Sequence, residues 1–260
     1  MEAEILFTRR DRDGVAWAEL TLNRPLKGNA LTLAMLDQID THLKNVAADP
    51  AIRVLVIRGA GKYFCTGGDI TAWGALSPGA MAQQWIHRGI DVIDRIAALP
   101  QPVVAVISGH ALGGGLEIAL AADFRIGVRD AKLGTPEVCI GMIAGWGGVR
   151  RLAENIGLPR ARELTLIGAP ITAQQAHEWG LLMAVADDQA ALEVELDSLL
   201  AKLLANAPIA MRATKSLLAT MSLDLRHQHA VAVEQVAATA DCAEGVASFR
   251  EKRKPVFRNR

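Results

Sequence analysis

The amino-acid sequence predicts an α/β fold with parallel crossovers, and three features support it. Short β-branched runs, residues 52–57 and Val103–Ile107, alternate with longer stretches of helical spacing, as in βαβ units. At 260 residues and 51% apolar, the chain has enough material for one large core. From about residue 150 the pattern becomes helical, with Leu192, Leu196, Leu199, Leu200, Leu203 and Leu204 at helical spacing.

The elements follow in order. Val15–Leu22 reads as a strand and residues 31–47 as an amphipathic helix. Residues 52–57 form a buried strand. Residues 78–98 form a helix that Pro100 and Pro102 end. Val103–Ile107 is a second buried strand, closed by Ser108-Gly109. Residues 116–122 make a short apolar helix, and Phe124–Val128 a third strand. Parts of Pro208–Thr220 and of residues 227–240 again show helical spacing. Such helices can serve assembly or can cap the same monomer. The sequence contains no strict internal repeat and no low-complexity segment.

Composition narrows the function classes. Lys+Arg and Asp+Glu both number 28, so there is no global charge to draw nucleic acid or an acidic membrane. The local exception is residues 249–260, with six basic residues against one acid; this is a solvated chain end or a phosphate contact. Cys65, Cys139 and Cys242 are few, odd in number and far apart. They fit a reducing compartment rather than a disulfide framework, and a cytoplasmic location is expected. The first ten residues begin with acids and have no long apolar stretch, unlike a secretory signal. The most apolar region, 103–122, is broken by Ser108, His110, four glycines and Glu117, which argues against a membrane span.

The chemistry is expected where glycine turns meet lone acids. Gly113-Gly114-Gly115 lies between a strand and a short helix, so its N–H groups can face an anionic oxygen. A second glycine pair, Gly67-Gly68, follows another strand. N–H groups from the two turns could flank a carbonyl that becomes an enolate. Each cluster alone also fits ordinary turn chemistry. Glu117 ends the first cluster about one turn into the helix, and Glu137 sits in the loop Thr135-Pro136-Glu137. Acids in apolar surroundings tend to keep their protons, and two together can act as an acid/base pair. Alone, Glu117 also fits a first-turn acid or the partner of a buried arginine, and Glu137 a solvated loop acid.

Competing motifs fail on their letters. The pattern G-x-G-x-x-G breaks at Ile118 and at Arg150. No phosphate loop and no G-x-S-x-G occur. The six histidines lack H-E-x-x-H, and His227 and His229 would diverge on a helix, so no metal site is expected. Trp73, Trp85, Trp146 and Trp179 are expected in the core or a pocket wall.

An ordered set of segments resembles the crotonase (enoyl-CoA hydratase/isomerase) superfamily along almost the whole chain. The set runs Asn23-Arg24-Pro25, Asn29-Ala30-Leu31, Phe64-Cys65-Thr66-Gly67-Gly68-Asp69-Ile70, then residues 102–117, Ala122-Asp123 and Thr135-Pro136-Glu137. It ends with residues 145–152 and Phe249-Arg250-Glu251-Lys252-Arg253. The resemblance implies a crotonase-like spiral of ββα units with the acyl-CoA site in residues 1–190. It implies a helical oligomerisation segment in residues 191–260 and a homotrimer or dimer of trimers.

Residue by residue, Gly68 and Gly114 resemble the oxyanion-hole donors. Glu117 and Glu137 resemble the acid pair of true hydratases, and Gly145 the residue whose N–H helps hold water. Leu26, Lys27, Gly28, Ala30, Asp69 and Ile70, with Phe249 and Lys252 of the tail, match CoA-binding positions. No metal or redox cofactor is implied, coenzyme A being part of the substrate. Trp73, Met81, Ile140, Met142 and Trp146 are expected to line the acyl pocket, with Trp85 a further wall residue. Ala144, Trp146 and Val149 depart from the usual proline, small residue and threonine, which leaves the acyl group open. The expected activity is reversible hydration of a 2-enoyl-CoA. The rivals are an isomerase or another acyl-CoA-transforming crotonase, and a non-catalytic acyl-CoA- or RNA-binding scaffold.

Overall fold

The computed structural model describes residues 3–220 and 225–260, and the side chains of 220 and 225–230 lie outside the described residues. Six strands form the larger sheet, in the order β1-β2-β3-β5-β7-β10. β1 (Ile5–Arg12) and β2 (Val15–Leu22) are an antiparallel hairpin. Asp13 and Gly14 both take positive φ at its turn, 55° and 80°, which suits the right-handed twist of the paired strands. β3 (Ile52–Gly59), β5 (Val103–Ile107), β7 (Phe124–Val128) and β10 (Ala184–Ala186) follow in parallel. All five residues of β5 are buried, hence its unbroken apolar letters.

The smaller sheet has four strands, β4 (Tyr63–Cys65), β6 (His110–Leu112), β8 (Lys132–Gly134) and β9 (Ile171–Thr172). A repeat emerges from the two sheets together. β3, β5 and β7 each enter the larger sheet, and the next strands, β4, β6 and β8, enter the smaller one in parallel. Helical structure follows each pair. This is a spiral of ββα turns.

The helices fill the gaps. α1 (Leu33–Ala48) starts at Thr32, whose side chain accepts from Met35 N–H, a normal N-cap. The stretch expected as one helix over 78–98 is helical throughout, as Pro78–Ala80, a π turn Met81–Ile86, and α2 (His87–Ala97). α3 (Gly114–Ala121) is buried along its whole length. α4 (Gly148–Arg162) bends at Gly157, φ 76°, just before Pro159. α5 (Gln189–Leu204) buries the six predicted leucines and packs on β3, β7 and β10. α6 (Pro208–Thr220), α7 (Leu225–Ala237) and α8 (Ala240–Glu251) follow, with α7 against both neighbours.

Two sequence expectations need correction. The chain after residue 150 is not purely helical, because β9 and β10 complete the two sheets. Both strands are only two or three residues long, too short to show a period. Glu137 lies in a short 3-10 turn, Pro136–Ile140, rather than an open loop. The expected divergence of His227 and His229 lies outside the described residues. No described helix is long and apolar enough to cross a membrane. Cys65, Cys139 and Cys242 are free thiols.

Candidate active site

Two glycine turns meet just beyond the neighbouring strands β4 and β6 of the smaller sheet. Gly67, φ 104°, and Gly113, φ 54°, both hold the left-handed backbone that favours glycine. A Cβ on Gly67 would stand 3.2 Å from Leu112 O and 3.3 Å from Gly114 N, so the turns are in close contact. Gly114 opens α3, leaving its N–H without an intrahelical acceptor. Neither its N–H nor that of Gly68 has an acceptor among the described residues.

The Gly68 turn is held from behind. Leu31 N–H donates to Gly67 O and Asp69 N–H to Leu31 O, both at 2.8 Å. Asn29 is fully buried. Its side chain accepts from Arg24 N–H at 2.8 Å and donates to Ala60 O at 2.9 Å and Tyr63 O at 2.8 Å. Arg24 bonds both Ala30 O and the Asp69 carboxylate. Asp69 also caps the short helix Ile70–Trp73 by accepting from Thr71 N–H. The hydrogen bond from the Thr71 hydroxyl, with help from Arg24, holds the Asp69 carboxyl below its usual range despite some burial.

Glu117 follows from α3. The helix is wholly buried, so its acid is only 2% exposed. Glu117 Oε1 accepts from Trp146 N–H and Gly148 N–H, each at 2.8 Å. Gly148 is the first residue of α4, so the acid lies at the positive end of that helix. A Cβ on Gly148 would stand 2.6 Å from Glu117 Cγ, so any side chain there would push Glu117 out of place. Burial raises the Glu117 pKa to about 7, against the pull of the Gly148 and Trp146 N–H groups. The charge of Glu137 raises it further, and Arg151 opposes. Arg151 does not pair with Glu117; it bonds Asp94 and Trp146 O.

Glu137 lines the same cavity as Glu117. A Cβ on Gly113 would stand 2.9 Å from Glu137 Oε1. Glu137 Oε2 is buried without a hydrogen-bond partner among the described residues. Burial raises its pKa, partly offset by a hydrogen bond from its own amide. An unpaired buried carboxyl oxygen beside a cavity favours the protonated state or an incoming donor.

A cavity of about 280 Å³ joins these groups, lined by Gly68, Gly114, Gly145 and both acids. Trp73, Trp85, Ile140, Met142 and Trp146 line it too, and so does Ile70, which the resemblance put at a CoA-binding position. Met81 does not line it. The π turn takes in an extra residue and rotates upstream positions by roughly 100° relative to an unbroken helix. Met81 is instead half-buried against the core, while Ile86 reaches the cavity. Sequence reasoning also missed Thr66, Cys139 and Ile143 in the lining, and Gly148 as a holder of Glu117. The Gly145/Gly147/Gly148 cluster signalled a turn there without saying whose oxygen it would bind.

The remaining predicted contacts lie outside the cavity. Leu26 is 98% exposed and Phe249 86%. Lys27 and Lys252 are exposed, and Gly28 and Ala30 half-buried. Gly28, φ 60°, packs on Thr66.

The fold and the site together define a ββα spiral that aims two protonatable carboxyls and two free backbone donors into one cavity. The chain belongs to the enoyl-CoA hydratase/isomerase family, whose model matches residues 12–260. It is 35% identical to the 2,3-dehydroadipyl-CoA hydratase of Escherichia coli, over 99% of this chain and 100% of that one. It is 36% identical to the crotonyl-CoA hydratase of Syntrophomonas wolfei, over 92% and 94%. An enoyl-CoA hydratase from Bacillus anthracis superposes with a TM-score of 0.92 at 33% identity, covering 99% of this chain and 100% of that one.

Proposed function

We propose that this protein is a 2-enoyl-CoA hydratase, adding water reversibly across the 2,3 double bond to give a 3-hydroxyacyl-CoA. The carrying observation is that Glu117, Glu137, Gly68 and Gly114 line one cavity. The thioester carbonyl accepts from the Gly68 and Gly114 N–H groups, and one such donor contributes about 3–4 kcal/mol at the transition state. Water lies between the two carboxyls, with Gly145 beside it. One carboxylate takes a water proton as oxygen adds to the β-carbon, and the other delivers a proton to the α-carbon of the enolate. The thioester makes the α-carbon acidic and the donors stabilise the enolate, so no cofactor beyond the substrate's own coenzyme A is needed.

CoA runs from the cavity past Leu26, Lys27, Gly28, Ala30, Asp69 and Ile70, and a neighbouring copy supplies Phe249 and Lys252. Residues 1–190 hold the catalytic spiral and residues 191–260 the assembly segment. Three free cysteines and a neutral charge balance support a cytoplasmic enzyme.

The test is loss of enoyl absorbance on adding crotonyl-CoA. Glu117→Gln and Glu137→Gln should each lower kcat by at least a hundredfold. If neither does, the two-acid mechanism fails. Consumption of a 3-enoyl-CoA with crotonyl-CoA inert would assign an isomerase instead.

A further inference from the structure

We infer that Trp146 closes the side of the acyl cavity between α2 and α3 and restricts the substrate to short, uncharged acyl groups. The hydratase reading supplies only the name of the reaction. The inference itself concerns the shape and charge of the cavity.

Trp146 is 2% exposed, and its indole is wedged between two glycines. A Cβ on Gly89, in α2, would stand 2.0 Å from Trp146 Nε1, and one on Gly114, in α3, 2.6 Å from its Cζ3. The Trp85 ring lies 5.2 Å away, tilted at 45°. Gly89 and Gly114 put no side chain into this space, which the indole occupies.

The indole is not held there by a hydrogen bond. Its Nε1–H is buried without an acceptor among the described residues, and a buried donor left unpaired is a cost rather than a reason to keep a residue. Its role is therefore one of shape. A small side chain at this position would leave a gap between α2 and α3, continuous with the cavity. With the indole in place the cavity is about 280 Å³, at the small end for ligand sites.

Charge sets the second restriction. Among the described residues the lining side chains include two acids and no Lys, Arg or His. Arg151 lies behind the Trp146 carbonyl and is already bonded to Asp94. A carboxylate at the end of an acyl chain would lose its water with no cation to replace it, and it would face two acids.

The experiment compares kcat/KM for uncharged 2-enoyl-CoA thioesters of four, six, eight and ten carbons, and for a six-carbon thioester ending in a carboxylate. In the unmodified protein we expect at least a tenfold fall from four to ten carbons. The carboxylated thioester should fall at least a hundredfold below its uncharged counterpart. Trp146→Ala should raise the ten-to-four ratio at least tenfold, whereas Trp146→Phe should keep the original order. In parallel, calorimetry measures binding of saturated butyryl-CoA and decanoyl-CoA.

Equal turnover of four and ten carbons, or an unchanged ratio in folded Trp146→Ala, overturns the inference and leaves the hydratase reading intact. If no thioester is hydrated, the hydratase reading fails. Tighter binding of butyryl-CoA than decanoyl-CoA would then still support the closed cavity, and equal or reversed binding would overturn it. If Trp146→Ala does not fold, the unmodified protein's series decides.

Discussion

At the scale of single residues, Glu117 is held in a state that does not suit folding. Its pKa stands at about 7 in the fold against an ordinary 4.5, so the native state binds its proton more tightly than the unfolded chain. The stability this confers is complete below about pH 4.5 and is lost as pH rises through 7. The gap corresponds to roughly 3 kcal/mol of destabilisation above neutrality. Gln keeps an oxygen for the Trp146 and Gly148 N–H groups and has no charge to bury. Glu117→Gln should therefore be inactive yet more stable than the parent at pH 8. Denaturant unfolding should show the difference shrinking towards pH 5, and a difference independent of pH would deny that Glu117 is the strained group. The same raised pKa predicts a bell-shaped kcat/KM profile with one limb near neutrality, because the pair must share one proton. A profile flat from pH 5 to 9 would contradict this.

At the scale of elements, the donors depend on a loop tied down by Asn29. Asn29→Ala would strand the Ala60 and Tyr63 carbonyls and the Arg24 N–H, all bonded to this side chain in a buried setting. We expect a loss of about 3 kcal/mol by thermal or denaturant unfolding. We also expect kcat to fall more than KM rises, since Gly68 shifts while the cavity wall remains. Unchanged stability would show that water replaces these bonds at no cost. The same loop illustrates what was legible in the letters. Asn29, Gly68 and Gly114 stood out as motif residues, but their wiring did not, because it joins positions distant in sequence. Strands β5 and β7 were readable to the residue, β5 as a fully buried apolar run and β7 as a largely buried run that also carries Arg125. Strands β4, β6 and β8 have three residues each, too few for a period, so the spiral's repeat was invisible. β1 hid for another reason: Thr8–Arg12 is polar because it lies exposed at the sheet edge. The π turn that moved Met81 out of the cavity has no letter of its own.

At the scale of the whole molecule, the tail is fastened yet leaves its reactive side outward. Asp241 is buried and accepts from Arg258 N–H at 2.6 Å and Asn259 N–H at 2.7 Å. Arg53 of β3 donates to Phe257 O at 2.6 Å. These bonds pin the chain end to the sheet while Phe249 stays 86% exposed and Lys252 points to solvent. Leu166 and Ile167 are 72% and 64% exposed, and Leu218 is 72% exposed, large apolar side chains that an assembly would cover. A neighbouring copy could thus receive both Phe249 and Lys252 at its CoA channel. Light scattering should then give a mass three or six times 27.8 kDa. Lys252→Ala should raise KM for the thioester severalfold, leave kcat unchanged, and weaken the salt dependence of KM, since the lost contact is ionic. The same rise in KM should appear in the unmodified protein on dilution below the point of dissociation. A monomeric mass with an unaltered Lys252→Ala variant would return the tail to a solvated chain end and leave the CoA site to a single copy.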